Sequence, residues 1–327
     1  MLRTEICGVK LKCCIYNASG PRTGTIESLE KIGKSEAGAI LTKSATLFKR
    51  EGNPLPRFIN KIKLNTYSDG AVNSEGLPNA GIDYYIGEEA KKILTGHSKP
   101  YIISLSGLSL ADNVDMLNKI YQDSDGIAAI ELNLACPNIP GKPVVSNDFE
   151  QMEEVLKTIT ELPNFKSLPF GIKLGPYFDM PFFERAADII AKYPIRYVVS
   201  CNTIGNALFI NAENECEAMA ANRGMGGLGG GFIKHTALAN VRTLRELLDE
   251  RGRANIDLVG VGGVATGRDA FELILCGAKA VQVGSCHWTE GPACFARIAQ
   301  ELTDIMRRKG YSSIEEFRGK LKPYIKK

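Results

Sequence analysis

Glu131-Leu132-Asn133-Leu134-Ala135-Cys136-Pro137-Asn138-Ile139-Pro140-Gly141-Lys142-Pro143 is the stretch on which the reading of this chain turns. The apolar run that leads into it, from Ile127 to Leu134, reads as a buried parallel strand. Proline at 137 cannot continue a ladder, so the strand stops at Cys136. A thiol therefore stands at the carboxyl end of a strand, between Asn133 and Asn138, with a Pro/Gly loop beyond. In an α/β barrel that end carries the chemistry. Most cysteines are small core hydrophobes. Two amide side chains beside this one need hydrogen-bond partners or a ligand, which favours a functional thiol. No histidine lies nearby in sequence, so a Cys/His hydrolase is not indicated.

Working outward, strand-length apolar runs alternate with stretches of helical period. Strands are expected near 12–18, 39–43, 101–105, 127–134, 170–174, 195–202, 256–261 and 279–284. Helices are expected at 25–35, 147–161 and 236–250, with caps at Ser109, Asp179 and Thr266. Eight such alternations predict a (β/α)8 TIM barrel of parallel strands, and an open doubly wound sheet is the competing arrangement. No linker divides the chain, so one domain is expected over 1–327. Residues 46–83, rich in Pro, Asn and Gly, read as an irregular functional insertion, a lid over the site.

The bulk numbers agree with a barrel enzyme. The chain has 327 residues, 44% hydrophobic and 24% charged, with a net charge of +3. That charge is too small for a nucleic-acid footprint and suits anionic small molecules. The nine cysteines include no C-x-x-C pair, and the chain opens without a secretory pattern. A reduced, cytoplasmic protein is expected, with no membrane partner, because no apolar run approaches the roughly 20 residues of a spanning helix.

Two glycine patterns invite a dinucleotide reading. Gly224-Met-Gly226-Gly-Leu-Gly229 and Gly260-Val-Gly262-Gly-Val-Ala265 both fit the fingerprint. Neither lies on the first strand of a βαβ unit with an acid about 20 residues on, so both are rejected as NAD sites. Gly260 to Gly267 and Gly284-Ser285 instead follow the seventh and eighth strands, where barrels hold phosphate. Tight turns are the plainer alternative, but both loops are glycine-rich. Around the same rim stand Lys43, Asn73, Asn133, Lys173, Asn202 and Thr203. Taken singly they are ordinary surface or capping residues. Together with Cys136 they form a ring of ammonium and amide donors.

The loop from Asn133 to Pro143 closely resembles the active-site loop of the class 1A, fumarate-using dihydroorotate dehydrogenases, which more often have Ser where Ala135 stands. The resemblance runs over nearly the whole chain. It implies FMN as cofactor, with its phosphate and ribityl chain on Gly230, Gly262, Gly263, Gly284 and Ser285. It places the flavin ring against Ala18, Ser19, Gly20, Lys43, Ser44, Asn133 and Lys173. It assigns the pyrimidine and its carboxylate to Lys43, Asn73, Gly76, Leu77, Asn133, Asn138, Asn202 and Thr203, and the base to Cys136. The implied reaction oxidises (S)-dihydroorotate to orotate in pyrimidine biosynthesis. Cys136 as thiolate takes the C5 proton, hydride leaves C6 for the flavin, and fumarate is then reduced to succinate in the same pocket. A homodimer is implied as well. Two departures stand out. Glu75 occupies a position that is generally Met, and the segment 64–72 is longer than usual. Glu75 keeps open a related FMN oxidoreductase acting on another pyrimidine or acceptor. From another class, a catalytically silent phosphate-ligand-binding barrel also remains.

Overall fold

The computed structural model describes residues 1–63, 69–136 and 144–324. Its centre is a sheet of eight parallel strands: β1 (Ile15–Asn17), β2 (Ile40–Leu41), β3 (Tyr101–Leu105), β4 (Ile127–Asn133), β5 (Phe170–Lys173), β6 (Tyr197–Ser200), β7 (Asp257–Val261) and β8 (Ala280–Val283). They run in sequence order around the sheet, and β8 pairs with β1. This is the expected barrel, and the open doubly wound sheet is excluded. The strands are shorter than their apolar runs because ladder hydrogen bonds end before burial does. β1 is the clearest case: residues 12 and 13 form no ladder although Cys13 is buried.

Between β1 and β2 the ring is joined by a side chain. The Asn17 amide donates to Leu41 O at 2.7 Å and accepts from Leu41 N at 3.0 Å, in place of a backbone pair. Gly38 N donates to Ile15 O at 2.8 Å. A side chain at Gly38 would collide with the Cys13 carbonyl, since a Cβ there would lie 1.8 Å from its oxygen. Close backbone approach is thus why this position is glycine.

Helices α1 (Ile26–Gly33), α2 (Glu88–Thr95), α3 (Leu110–Gln122), α4 (Phe149–Thr160), α5 (Met180–Lys192), α6 (Lys234–Glu250), α7 (Gly267–Leu275) and α8 (Ala293–Lys309) lie outside the strands. Their apolar faces bury Leu29, Met116, Leu156, Ile190, Leu244, Ile274 and Ile298 against the sheet in one continuous cluster. A second cluster fills the barrel interior with Tyr16, Leu41, Ile102, Ala129, Tyr197 and Val259. An N-terminal hairpin, Thr4–Ile6 with Val9–Leu11, adds Ile6 and Leu11 to that interior.

The expected irregular stretch at 46–83 is corrected in part. Phe58–Lys63 and Asp69–Asn73 form an antiparallel hairpin. Residues 64–68, within the segment noted as long, lie outside the described residues. The glycine-rich stretch at 224–231, which reads from sequence as a loop, is largely a strand. Met225–Gly230 is a strand that pairs with Asp69–Asn73 and with Ile204–Leu208 in a four-stranded sheet. Propensity hid it, because glycine is depleted in strands. What it provides is proximity: a Cβ at Gly226 would lie 2.5 Å from the Asn73 carbonyl oxygen.

Candidate active site

The strand ends and the added sheet enclose a cavity of about 390 Å3. The turn after β1 contributes Ala18, Ser19 and Gly20, and the turn after β2 contributes Lys43 and Ser44. Asn133 ends β4, and Cys136 lies beyond it rather than at the strand's last position as expected; Lys173 ends β5, and Asn202 and Thr203 follow β6. Gly262 and Gly263 follow β7, and Gly284 and Ser285 follow β8. Gly230 closes the glycine strand, while Asn73, Gly76 and Leu77 come from the end of the hairpin. Each described residue singled out in the sequence lines this one cavity. Asn138 lies outside the described residues.

At one end the walls are backbone. Gly230, Gly262 and Gly263 have φ of +68°, +127° and +73°, a region that side chains strain to adopt. A Cβ on Gly263 would stand 2.5 Å from Cβ of Lys234, the first residue of α6. The chain is thereby held close enough for its amides to meet an anion.

At the other end the walls are side chains. Asn133 and Asn202 hold each other: Asn202 Nδ2 donates to Asn133 Oδ1 at 3.2 Å and to Ala135 O at 2.5 Å. Asn133 Oδ1 also accepts from Ala135 N at 3.0 Å, and Asn202 Oδ1 from Thr203 N at 2.9 Å. These bonds tie the end of β6 to the turn that carries Cys136, which is itself only partly exposed. Ser44 is fixed from both sides, its N–H donating to Ser19 Oγ at 2.7 Å and its hydroxyl 2.9 Å from Ser104 Oγ.

Lys43 and Lys173 are buried, at 7% and 5% exposure. Burial lowers the pKa of each ammonium below the ordinary 10.5; the Glu75 carboxylate works against this at Lys43, and Glu131 at Lys173. Among the described residues neither Nζ has a hydrogen bond or ion-pair partner. Two buried cations aimed into a cavity call for an electron-rich occupant. An elongated ligand with a phosphate at the glycine end and a carbonyl-rich ring at the lysine end fits this donor set.

Sequence reading missed several walls. Phe58 packs on Trp288 with ring centroids 4.2 Å apart, and Arg22 lies over the same indole at 5.7 Å. Trp288 is the chain's one tryptophan, three residues beyond Ser285, and that position was the available signal. Cys201, near the end of the strand expected at 195–202, was not singled out, yet it lines the cavity with its thiol pushed up to about 12 by burial. Among the described residues no helix is long and apolar enough to cross a membrane.

The family model described as dihydroorotate dehydrogenase matches residues 1–306. The chain belongs to the dihydroorotate dehydrogenase family. Among its relatives is the dihydroorotate dehydrogenase A (fumarate) of Lactococcus lactis subsp. cremoris, 47% identical over 323 residues, which are 98% of this chain and 99% of that protein. The dihydroorotate dehydrogenase (fumarate) of Saccharomyces cerevisiae is 45% identical over 306 residues, 93% of either chain. The solved structure of DHODH from Eimeria tenella in complex with ferulenol superposes with a TM-score of 0.77, covering 97% of this chain and 88% of that one. At 20% sequence identity it shows a shared fold.

Proposed function

We propose that this chain is an FMN-dependent enzyme that oxidises (S)-dihydroorotate to orotate and passes the electrons to fumarate. The observation that carries the reading is that Cys136 lines the same cavity as the buried ammonium groups of Lys43 and Lys173. The fumarate-using relatives support the choice of substrate and acceptor.

In this reading Gly230, Gly262, Gly263, Gly284 and Ser285 would hold the FMN phosphate and ribityl chain. Ala18, Ser19, Gly20, Ser44 and Lys173 would hold its ring, Lys173 supplying positive charge. Lys43, Asn73, Asn133, Asn202, Thr203 and the backbone of Gly76 and Leu77 hold the pyrimidine and its carboxylate, joined by Asn138. When bound, FMN would supply two-electron chemistry, oxidation of the substrate and reduction of fumarate. Cys136, as thiolate, removes the proton from C5. The Asn133–Asn202 pair fixes the turn that aims Cys136, so little reorganisation is left for the proton transfer. Lys43 neutralises the substrate carboxylate, and the hairpin excludes bulk water as part of a lid at 46–83.

The whole chain acts as one barrel domain in this account, as a cytoplasmic homodimer making UMP precursors. Glu75 carries the second reading, because its carboxylate also lines the cavity and a neutral pyrimidine would meet less repulsion there. Steady-state assays decide between them. Turnover with dihydroorotate and fumarate, with the parallel double-reciprocal lines of ping-pong kinetics, is expected. Turnover of uracil-type rings in place of dihydroorotate would overturn the assignment, and a protein that purifies without flavin would favour a silent barrel.

A further inference from the structure

Below the cavity the barrel interior holds an acid that the proposed chemistry does not use. Glu131 is fully buried on β4, two residues before Asn133, so the two side chains leave the strand on the same face. Across the ladder Asn133 stands opposite Lys173 and Glu131 opposite Gly171. Gly171 contributes no side chain at that level, and the ring of Tyr197 takes the space, 2.4 Å from where a Cβ would be. Gln282 Nε2 on β8 donates to Glu131 Oε2 at 2.7 Å and to Tyr16 Oη at 3.2 Å. Oε1 of Glu131 has no hydrogen-bond partner among the described residues. The acid is held in place and yet incompletely satisfied.

The other groups around this level stay neutral. Tyr16 and Tyr197 are held well above the ordinary phenol range, chiefly by burial. The Cys201 thiol is pushed up to about 12, again by burial. On the cavity side Lys173 faces Cys136, and Lys43 adds like charge. The largest favourable influence on the Lys173 ammonium is Glu131; burial raises the Glu131 acid above the ordinary carboxylate range, and Lys173 and then Gln282 work against that rise.

We propose that Glu131 is a positioning residue that works as a carboxylate, fixing Lys173 in its ammonium form on the cavity floor. Either group buried alone would shed its charge, Glu131 by binding a proton and Lys173 by losing one. Buried together, they ionise as a coupled pair. The carboxylate is anchored from below by Gln282, so the positive end of the pair points at the cavity. This inference rests on the flavin reading, in which reduction adds negative charge at the ring edge beside Lys173.

Glu131→Gln removes the charge and keeps an acceptor for Gln282. In the FMN-loaded variant Lys173 loses the favourable influence of the Glu131 carboxylate and deprotonates at lower pH. The flavin midpoint potential should then gain a slope of one further proton per two electrons at a pH where the wild type shows no break. That extra slope should vanish in Glu131→Gln/Lys173→Met. Coincident wild-type and Glu131→Gln profiles, or an extra slope that survives Lys173→Met, would overturn the proposal. If Glu131→Gln does not retain FMN, infrared spectra of the oxidised wild type decide, with or without bound flavin. No protonated-carboxyl band sensitive to 13C-glutamate labelling is expected at neutral pH, and one that persists in Glu75→Gln would overturn the proposal. Wild type that purifies without flavin counts against the flavin reading, whereas flavin-loaded wild type that matches Glu131→Gln counts against Glu131 alone.

Discussion

Oε1 of Glu75 lies 3.8 Å from Nε of Arg57, and both side chains are largely withdrawn from solvent, at 11% and 19% exposure. The pair joins two segments that are also tied through backbone: Asn53 N donates to Glu75 O at 2.9 Å, and Ser74 N to Arg57 O at 2.8 Å. The carboxylate that sets this chain apart from its family pattern is thus occupied within the hairpin while lining the cavity.

Because Arg57 neutralises it, Glu75 should oppose an anionic substrate only weakly. Glu75→Met is expected to change the Michaelis constant for dihydroorotate by less than about tenfold, the equivalent of 1.4 kcal/mol. Steady-state kinetics read this directly. A far larger improvement would show Glu75 working against dihydroorotate and would move the neutral-pyrimidine reading ahead.

Lys43 gives a pH dependence with a definite sign. Its folded pKa is lowered, mainly by burial. Below that pKa the ammonium attracts the orotate carboxylate, and affinity should fall as pH rises through it, earlier than the ordinary 10.5. Over the same window the unfolded chain binds more protons than the folded one, so this residue's contribution to stability rises with pH. Orotate titrations monitored by flavin absorbance, run beside thermal melts, should show the two trends diverging. Lys43→Met should abolish both and weaken orotate at least tenfold at neutral pH. Retention of the full affinity trend in that variant would assign it to another group.

Gly263→Val asks a β-branched residue to adopt φ of +73° and to enter the first turn of α6. Backbone strain alone costs about 1–3 kcal/mol. The variant is expected to fold and to lose most of its FMN on dialysis. Stoichiometric retention of FMN would place the phosphate elsewhere.

The barrel was legible because buried parallel strands announce themselves as apolar runs, and the site because polar residues at the ends of such runs lack a structural excuse. Cys136 and Lys173 were readable on those grounds alone. Assigning individual roles to Asn73 and Thr203 needed the family resemblance. The glycine strand at Met225–Gly230 was not readable, since its partner Asp69–Asn73 is some 150 residues away in sequence and its residues avoid strands by propensity. Asn17 stands next to the residues given to the flavin ring, but its side chain closes the barrel. That role depends on where β2 lies, and no local pattern reports it. Trp288 and Phe58 meet only because the hairpin folds back over the strand ends.

The central claim is that Cys136 is the base in a flavin-bearing cavity. Anaerobic stopped-flow mixing of the FMN-loaded protein with (S)-dihydroorotate tests it most directly. An unperturbed thiol has a pKa of about 8.5, so the rate of flavin bleaching should climb with pH as the thiolate forms. Cys136→Ala should keep its FMN and bleach about 10²–10⁴-fold more slowly. Bleaching at the wild-type rate in Cys136→Ala, with the same pH profile, would contradict the account.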